Sequence, residues 1–208
     1  MIGLYAIARG APREAVGARG ERVRIVARGE LEVVCGDPPP PLSEEALRAH
    51  EAAVRRIADL SQACLPARFG SCAADEAALS AALAVREAEL AEALDQVAGR
   101  EQMTLRVHGN LPDEPAAGGP GTRYLEARRR SRTLPELGPL RAALSGLIRA
   151  ERIERHTEAD LLASVYHLID RGSAPAYRQA LESTRLDGMH VTFSGPWPAW
   201  SFAPELTP

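Results

Sequence analysis

Five histidines and three cysteines are the side chains best suited to acid–base, nucleophilic or metal chemistry in this chain of 208 residues. His50 is followed directly by Glu51. To act as a general base, His50 needs a nucleophile or a metal partner within reach. The local sequence places neither, so the expectation is a half-buried histidine satisfied by one hydrogen bond. His156 and His167 fall on the two strands of an expected hairpin and could face each other. Two histidines without further ligands do not hold zinc. Cys64 and Cys72 flank Leu65-Pro66-Ala67-Arg68-Phe69-Gly70; a redox pair is one reading there, and small buried thiols are the expectation. With Cys35 they form an odd set lacking a CxxC pair, which points to a reducing compartment rather than a disulfide framework.

Arg128-Arg129-Arg130-Ser131-Arg132 is the concentrated block of positive charge. A nucleic-acid adaptor would interleave basic residues with stacking aromatics. This run has none, and a solvated helix face is expected. GxGxxG, GxSxG and HExxH patterns are absent, and a Walker-type loop is impossible because the chain has no lysine. No catalytic constellation, cofactor or metal is expected.

The C-terminal segment stands apart. Aromatic residues make up only 4% of the chain, yet Phe193, Trp197, Trp200 and Phe202 crowd its end. Pro196 and Pro198 stiffen this segment, so its side chains lose little entropy on contact. Trp197, Pro198, Trp200 and Phe202 are the candidate residues for docking a protein partner or for packing the tail across domains.

Local patterns set the elements that position these groups. Residues 1–10 read as a strand. Val23, Ile25 and Ala27 alternate into a second, Arg28-Gly29 turns the chain, and Leu31, Val33 and Val34 begin the return strand. Ser43 caps a helix with Glu44 and Glu45 in its first turn and a stripe of Leu47, His50, Val54 and Ile57. A short strand is predicted over Leu65–Phe69. Asp75 caps a helix with Leu79, Leu83, Leu90, Leu94 and Val97 on one stripe, closed by Gly99. Met103, Leu105 and Val107 alternate as a strand.

Residues 109–121, rich in Pro and Gly, read as a linker. A helix is predicted over 122–132, and a second helical stripe over Leu140, Leu144, Leu147 and Ile148. Strands are predicted at 153–157 and 161–169 around a turn at Glu158-Ala159-Asp160. A helix follows from Ser173 to Leu186, with Pro175 in its first turn, and a strand at His190–Phe193. The expected architecture is α+β: an N-terminal domain over 1–108, a linker over 109–121, a C-terminal domain over 122–193 and a tail over 194–208. Each domain is read as an antiparallel sheet with helices on one face, a ferredoxin-like variant.

Composition bounds the rest. A hydrophobic content of 45% suffices for a real core. With 25 basic and 28 acidic residues, the net charge of −3 argues against wholesale nucleic-acid or anionic-membrane binding. The first residues lack a basic region ahead of an apolar run, and no stretch approaches the ~18 apolar residues of a membrane span. A cytoplasmic location is expected.

Several segments, in order, resemble the GvpF/GvpL family of gas-vesicle proteins. Gly3-Leu4-Tyr5-Ala6-Ile7 resembles its first strand, and Leu31-Glu32-Val33-Val34 falls where its second hairpin strand lies. His50-Glu51 followed by Leu65-Pro66-Ala67-Arg68-Phe69-Gly70 resembles its HE…LPxRFG pattern, and Gly121-Thr122-Arg123-Tyr124-Leu125 its GxxYL helix start. Arg100-Glu101-Gln102-Met103 sits at its strand after the long helix, with Gln102 in place of an aromatic. Ser194-Gly195-Pro196-Trp197-Pro198-Ala199-Trp200-Ser201-Phe202 resembles its GPWPPYSF ending, with Ala199-Trp200 for Pro-Tyr. The resemblance implies a two-domain, non-enzymatic accessory protein that binds the small hydrophobic shell protein and other components while gas vesicles, the hollow shells that give cells buoyancy, are built. His50, Glu51, Arg68, Phe69, Gly70 and Tyr124 are its motif residues here. The competing reading is an enzyme using His50, Glu51 and Arg68, which requires those side chains to converge in an open pocket.

Overall fold

The computed structural model describes residues 1–109, 137–156, 161–184 and 188–205. The linker beyond residue 109, the helix predicted over 122–132 with Tyr124, the arginine run and the turn at 158–160 lie outside the described residues. The chain divides into two compact units, residues 1–101 with 197–208, and residues 102–196.

The first unit contains β1 (Ile2–Arg9), β2 (Arg24–Arg28), β3 (Leu31–Gly36), α1 (Glu44–Leu60), β4 (Ala63–Pro66), β5 (Cys72–Ala73) and α2 (Glu76–Val97). The sheet order is β2-β3-β1-β4, with β5 also on β1. β1 pairs antiparallel with β3, β4 and β5, and Ile7 stands opposite both Val33 and Leu65. From Ile2 to Ala8 every residue of β1 is buried, as its unbroken apolar run dictates for a strand covered on both sides. Ala6 and Ala8 pack with Val34 and Cys64 against Val54 and Ile57 of α1. Ile7 and Val33 instead line a groove with Leu79, Leu83 and Leu90 of α2. Gly29, with φ of 55°, makes the β2–β3 turn.

Both helix caps follow the sequence. Ser43 Oγ accepts from the Ala46 amide at 3.1 Å, and Asp75 Oδ1 from that of Ala78 at 2.8 Å. On α1 burial begins at His50 and continues through Ala53, Val54, Ile57 and Ala58. Leu47, expected on that stripe, is exposed, because the apolar cluster reaches α1 only from Ala53 onward. All five residues of the expected α2 stripe are buried. β4 starts earlier than the predicted 65–69 strand and stops at Pro66. The Ala67 carbonyl is taken by the His50 side chain instead of a ladder partner.

The second unit contains β6 (Arg100–Gly109), α3 (Gly138–Leu144), β7 (Ile148–Arg155), β8 (Leu161–Asp170), α4 (Ala174–Glu182) and β9 (Met189–Trp197), with sheet order β7-β8-β6-β9. That order of strands and helices is ferredoxin-like. The strand read from Met103, Leu105 and Val107 is an inner strand of this sheet. Those residues pack with Leu140 and Leu144 of α3 and Tyr177 and Leu181 of α4 in one core. α3 is shorter than its stripe suggested, because Ile148 leaves it to pair with Ile169 in the sheet. α4 ends at Glu182, short of the predicted Leu186. There the Ser183 and Thr184 hydroxyls both donate to the Ala180 carbonyl, at 2.9 and 2.8 Å. β9 runs on through Trp197, so the start of the expected tail is strand. The fold is α+β, two antiparallel sheets with helices packed on them.

Candidate functional site at the aromatic C-terminal segment

The described tail, Trp197 to Glu205, folds with the first unit. A tight turn closes it: the Phe202 and Ala203 amides donate to the Ala199 carbonyl at 3.0 and 3.1 Å. Pro198, Ala199 and Phe202 are buried, while Trp197 and Trp200 are half-buried. Trp200 packs on the α1 side of the core, its ring centroid 6.4 Å from that of His50. The Arg55 guanidinium lies 4.9 Å from the Trp197 ring centroid, a cation–π contact.

His50 is the centre of this aromatic cluster. Its ring stacks on Tyr5 at 5.4 Å and meets the edge of Phe69 at 5.7 Å. Nε2 lies 2.9 Å from the Ala67 carbonyl oxygen. A carbonyl only accepts, so Nε2 carries the proton. Burial pushes the His50 pKa down, and the Ala67 hydrogen bond only partly offsets this. His50 is therefore a neutral packing histidine. Tyr5 is fixed in turn: its hydroxyl donates to Glu21 and accepts the Ala18 amide at 2.7 Å. Burial, followed by the bond to Glu21, pushes the Tyr5 phenol up to about 12. Burial would also raise Glu21, but hydrogen bonds from Tyr5 and backbone amides outweigh it and hold that carboxyl below its usual range. A Cβ on Gly36 would stand 2.6 Å from Tyr5 Cε2, so only glycine lets β3 pass the ring.

The residues of the competing enzyme reading do not converge. His50 is buried, Glu51 is exposed at the adjoining helical position, and Arg68 is 75% exposed, 3.4 Å from Glu205. Phe69 and Gly70 border both the His50 cluster and the surface formed by Arg68, Trp200 and Glu205. Cys35, Cys64 and Cys72 form no disulfide, and no cluster of three metal-binding side chains occurs among the described residues.

The Gas vesicle synthesis protein GvpL/GvpF family model matches residues 2–204. The chain belongs to this family. Its fold is that of two crystallised members at low sequence identity. GvpF from Microcystis aeruginosa superposes with a TM-score of 0.75 at 14% identity, over 98% of each chain. GvpF from Anabaena sp. PCC7120 gives 0.73 at 16% identity, over 98% of this chain and 95% of that one. No curated protein matches the sequence. Membership gives the chain a gas-vesicle accessory role. No helix among the described residues is long and apolar enough to cross a membrane.

Sequence reasoning missed a second histidine network, in the second unit. His167 and His156 do not face each other: the β7–β8 register sets Glu151 opposite His167, and His156 Nε2 lies 2.8 Å from Ser164 Oγ. His167 is 1% exposed. Its Nδ1 lies 2.7 Å from the Tyr177 hydroxyl and its Nε2 3.0 Å from Glu151 Oε2. Arg141 closes on the same carboxylate at 3.1 Å. A carboxylate accepts, so Nε2 is the donor there and, in the neutral ring, Nδ1 accepts from Tyr177. Burial opposes ionisation of Glu151, and the bonds from His167 and Arg141 overcome it and lower its pKa. Burial, then the Glu151 charge, raises Tyr177. The residues sit on four elements, and no local spacing announces them.

Proposed function

We propose that this chain is a non-enzymatic assembly protein that binds the small hydrophobic shell protein and other vesicle components during gas-vesicle formation, working in the cytoplasm at growing vesicles. The observation that carries this reading is the family match along residues 2–204. The separation of His50, Glu51 and Arg68 supports a binding rather than a catalytic role. Trp197, Pro198, Trp200 and Phe202 are the candidate docking residues. Two of them are buried anchors, and the half-buried indoles keep accessible surface while Arg55 and His50 hold their rings. Such preorganised tryptophans are favoured at protein interfaces.

Deleting the gene in a gas-vesicle-forming host is expected to abolish or deform the vesicles seen by electron microscopy, and normal vesicles in the deletant overturn the role. The tagged chain, co-expressed with the shell protein, is expected to co-purify with it. Normal vesicles from a His50→Gln, Arg68→Ala double variant are expected on the binding reading; loss of vesicles with folding and shell-protein recovery both intact returns the enzymatic one.

A further inference from the structure

We infer that the groove beside α2 in the first unit docks an apolar helix of a partner protein; this rests on the assembly role proposed above. The groove has a volume of about 560 Å³. Leu4, Ile7 and Val33 of the sheet form its floor, and Ala78, Ala82 and Val85 of α2 form its wall. Among the described residues, Arg86 is the one charged side chain lining it. That guanidinium is already engaged, bidentate to Glu89 at 2.9 and 2.8 Å and donating to the Glu205 carbonyl. Nearby, Arg24 pairs with Glu76 and Arg28 with Glu87. A charged occupant would lose its hydration here without gaining an available counter-charge, whereas a neutral apolar one suffers no such loss.

The same apolar surface continues out of the groove. Between Glu76 and Arg86 no residue of α2 ionises. The positions facing water there are Ala77, Ala78, Ala81, Ala82, Ala84 and Val85, and Val85 is 86% exposed. A solvated helix face normally carries charge, as α1 does with Glu44, Glu45, Arg48, Glu51 and Arg56. A small apolar ligand would fill the groove and leave this face wet, while a protein segment covers both. Ala78, Ala82 and Val85 follow i, i+4, i+7 spacing, one straight seam. Their small side chains admit a second helix at close distance, its larger residues filling the groove. A second copy of α2 would bring equally small residues to the seam and leave the groove unfilled. The occupant is therefore a partner helix with a neutral stripe of larger apolar side chains.

The test co-expresses the tagged chain with the shell protein and measures the shell protein recovered. Val85→Glu puts a charge at the mouth, Ala82→Leu plugs the groove with an apolar side chain, and Arg48→Ala on α1 is the control. Recovery is expected to fall roughly tenfold or more for the first two variants, with unchanged melting midpoints, and to stay at the wild-type level for the control. Undiminished recovery with both groove variants overturns the docking site and leaves the assembly role standing. If the wild type itself recovers no shell protein, the assembly role falls and the docking site with it. A wild-type dimer in sedimentation that Val85→Glu dissociates, with recovery unchanged, assigns the face to a second copy. Displacement of an apolar dye by Ala82→Leu without loss of recovery assigns the groove to a small ligand. Each of these last two outcomes also overturns the proposal.

Discussion

His50 and His167 are both buried and both bridge a helix to a sheet, yet their surroundings differ in kind. His50 lies among Tyr5, Phe69 and Trp200 with one backbone carbonyl as its hydrogen-bond partner. His167 uses both ring nitrogens, one toward a phenol and one toward a carboxylate backed by Arg141. The first environment offers the imidazolium almost nothing, so burial dominates and the ring stays neutral. The second joins a buried ring to a part-exposed ion pair, and its worth lies in every member being present at once. The first unit is thus held near the tail by shape and aromatic contact, and the second adds a chain of polar groups beside its apolar core. Loss of one aromatic from the first should be graded, and loss of one link from the second abrupt.

The largest effect is expected at His167→Ala. It opens a cavity and leaves the buried Tyr177 hydroxyl without its ring partner, while the part-exposed Glu151 carboxylate keeps Arg141, a loss of about 3–5 kcal/mol in urea unfolding. A loss below about 1 kcal/mol would mean that the polar chain around His167 tolerates deletion as well as the aromatic cluster around His50 does. Trp200→Ala should cost less, about 1–3 kcal/mol, because the indole is half-buried and its removal strips one wall of the His50 cluster.

His50→Gln sharpens the comparison through pH. The folded-state pKa of His50 lies below its ordinary 6.5, so below that pH the unfolded chain binds a proton that the folded chain refuses. Stability then falls as pH drops from 6.5 toward the lowered value. The glutamine variant should lose about 1 kcal/mol near pH 7 and flatten this part of the profile. An unchanged slope would remove His50 as its source. At the alkaline end, Tyr5 keeps its proton up to about 12 against an ordinary 10.0, so stability should decline between those values. Tyr5→Phe should reduce that decline.

Much of the scaffold is legible because it is written locally. Ser43 and Asp75 announce their helices, Arg28-Gly29 its turn, and the leucines of α2 their buried stripe. What escapes local reading depends on register and on what faces what. A one-residue difference in the β7–β8 pairing would have set a different residue opposite His167, and nothing near residue 151 fixes that register. α3 and α4 end earlier than their local patterns suggest because Ile148 finds a sheet partner and the Ser183 and Thr184 hydroxyls find the Ala180 carbonyl. The alanines of α2 are good helix formers wherever the helix lies; that they border a groove depends on α2 lying beside β1 and β3. The family motif HE…LPxRFG, by contrast, acquires a physical meaning. His50 receives its carbonyl from Ala67 and its edge contact from Phe69, both within the second half of the motif.

The smallest expected effect concerns the arginine of that motif. Arg68 and Glu205 meet at 3.4 Å with both side chains about three-quarters exposed, at 75% and 72%. Water screens such a pair, and fixing two long side chains offsets most of the attraction. Arg68→Ala should therefore lower stability by ~0.5 kcal/mol or less, a difference that vanishes in high salt. Glu205 is also tied by its backbone carbonyl to Arg86, so the end of the tail keeps one tether when Arg68 is gone. If Arg68→Ala instead destabilises the chain as much as Trp200→Ala, the tail is held by charge rather than by its aromatic side chains, and the contrast between the two units weakens. If it leaves stability unchanged but lowers shell-protein recovery, the arginine belongs to the binding surface and its pairing with Glu205 is incidental.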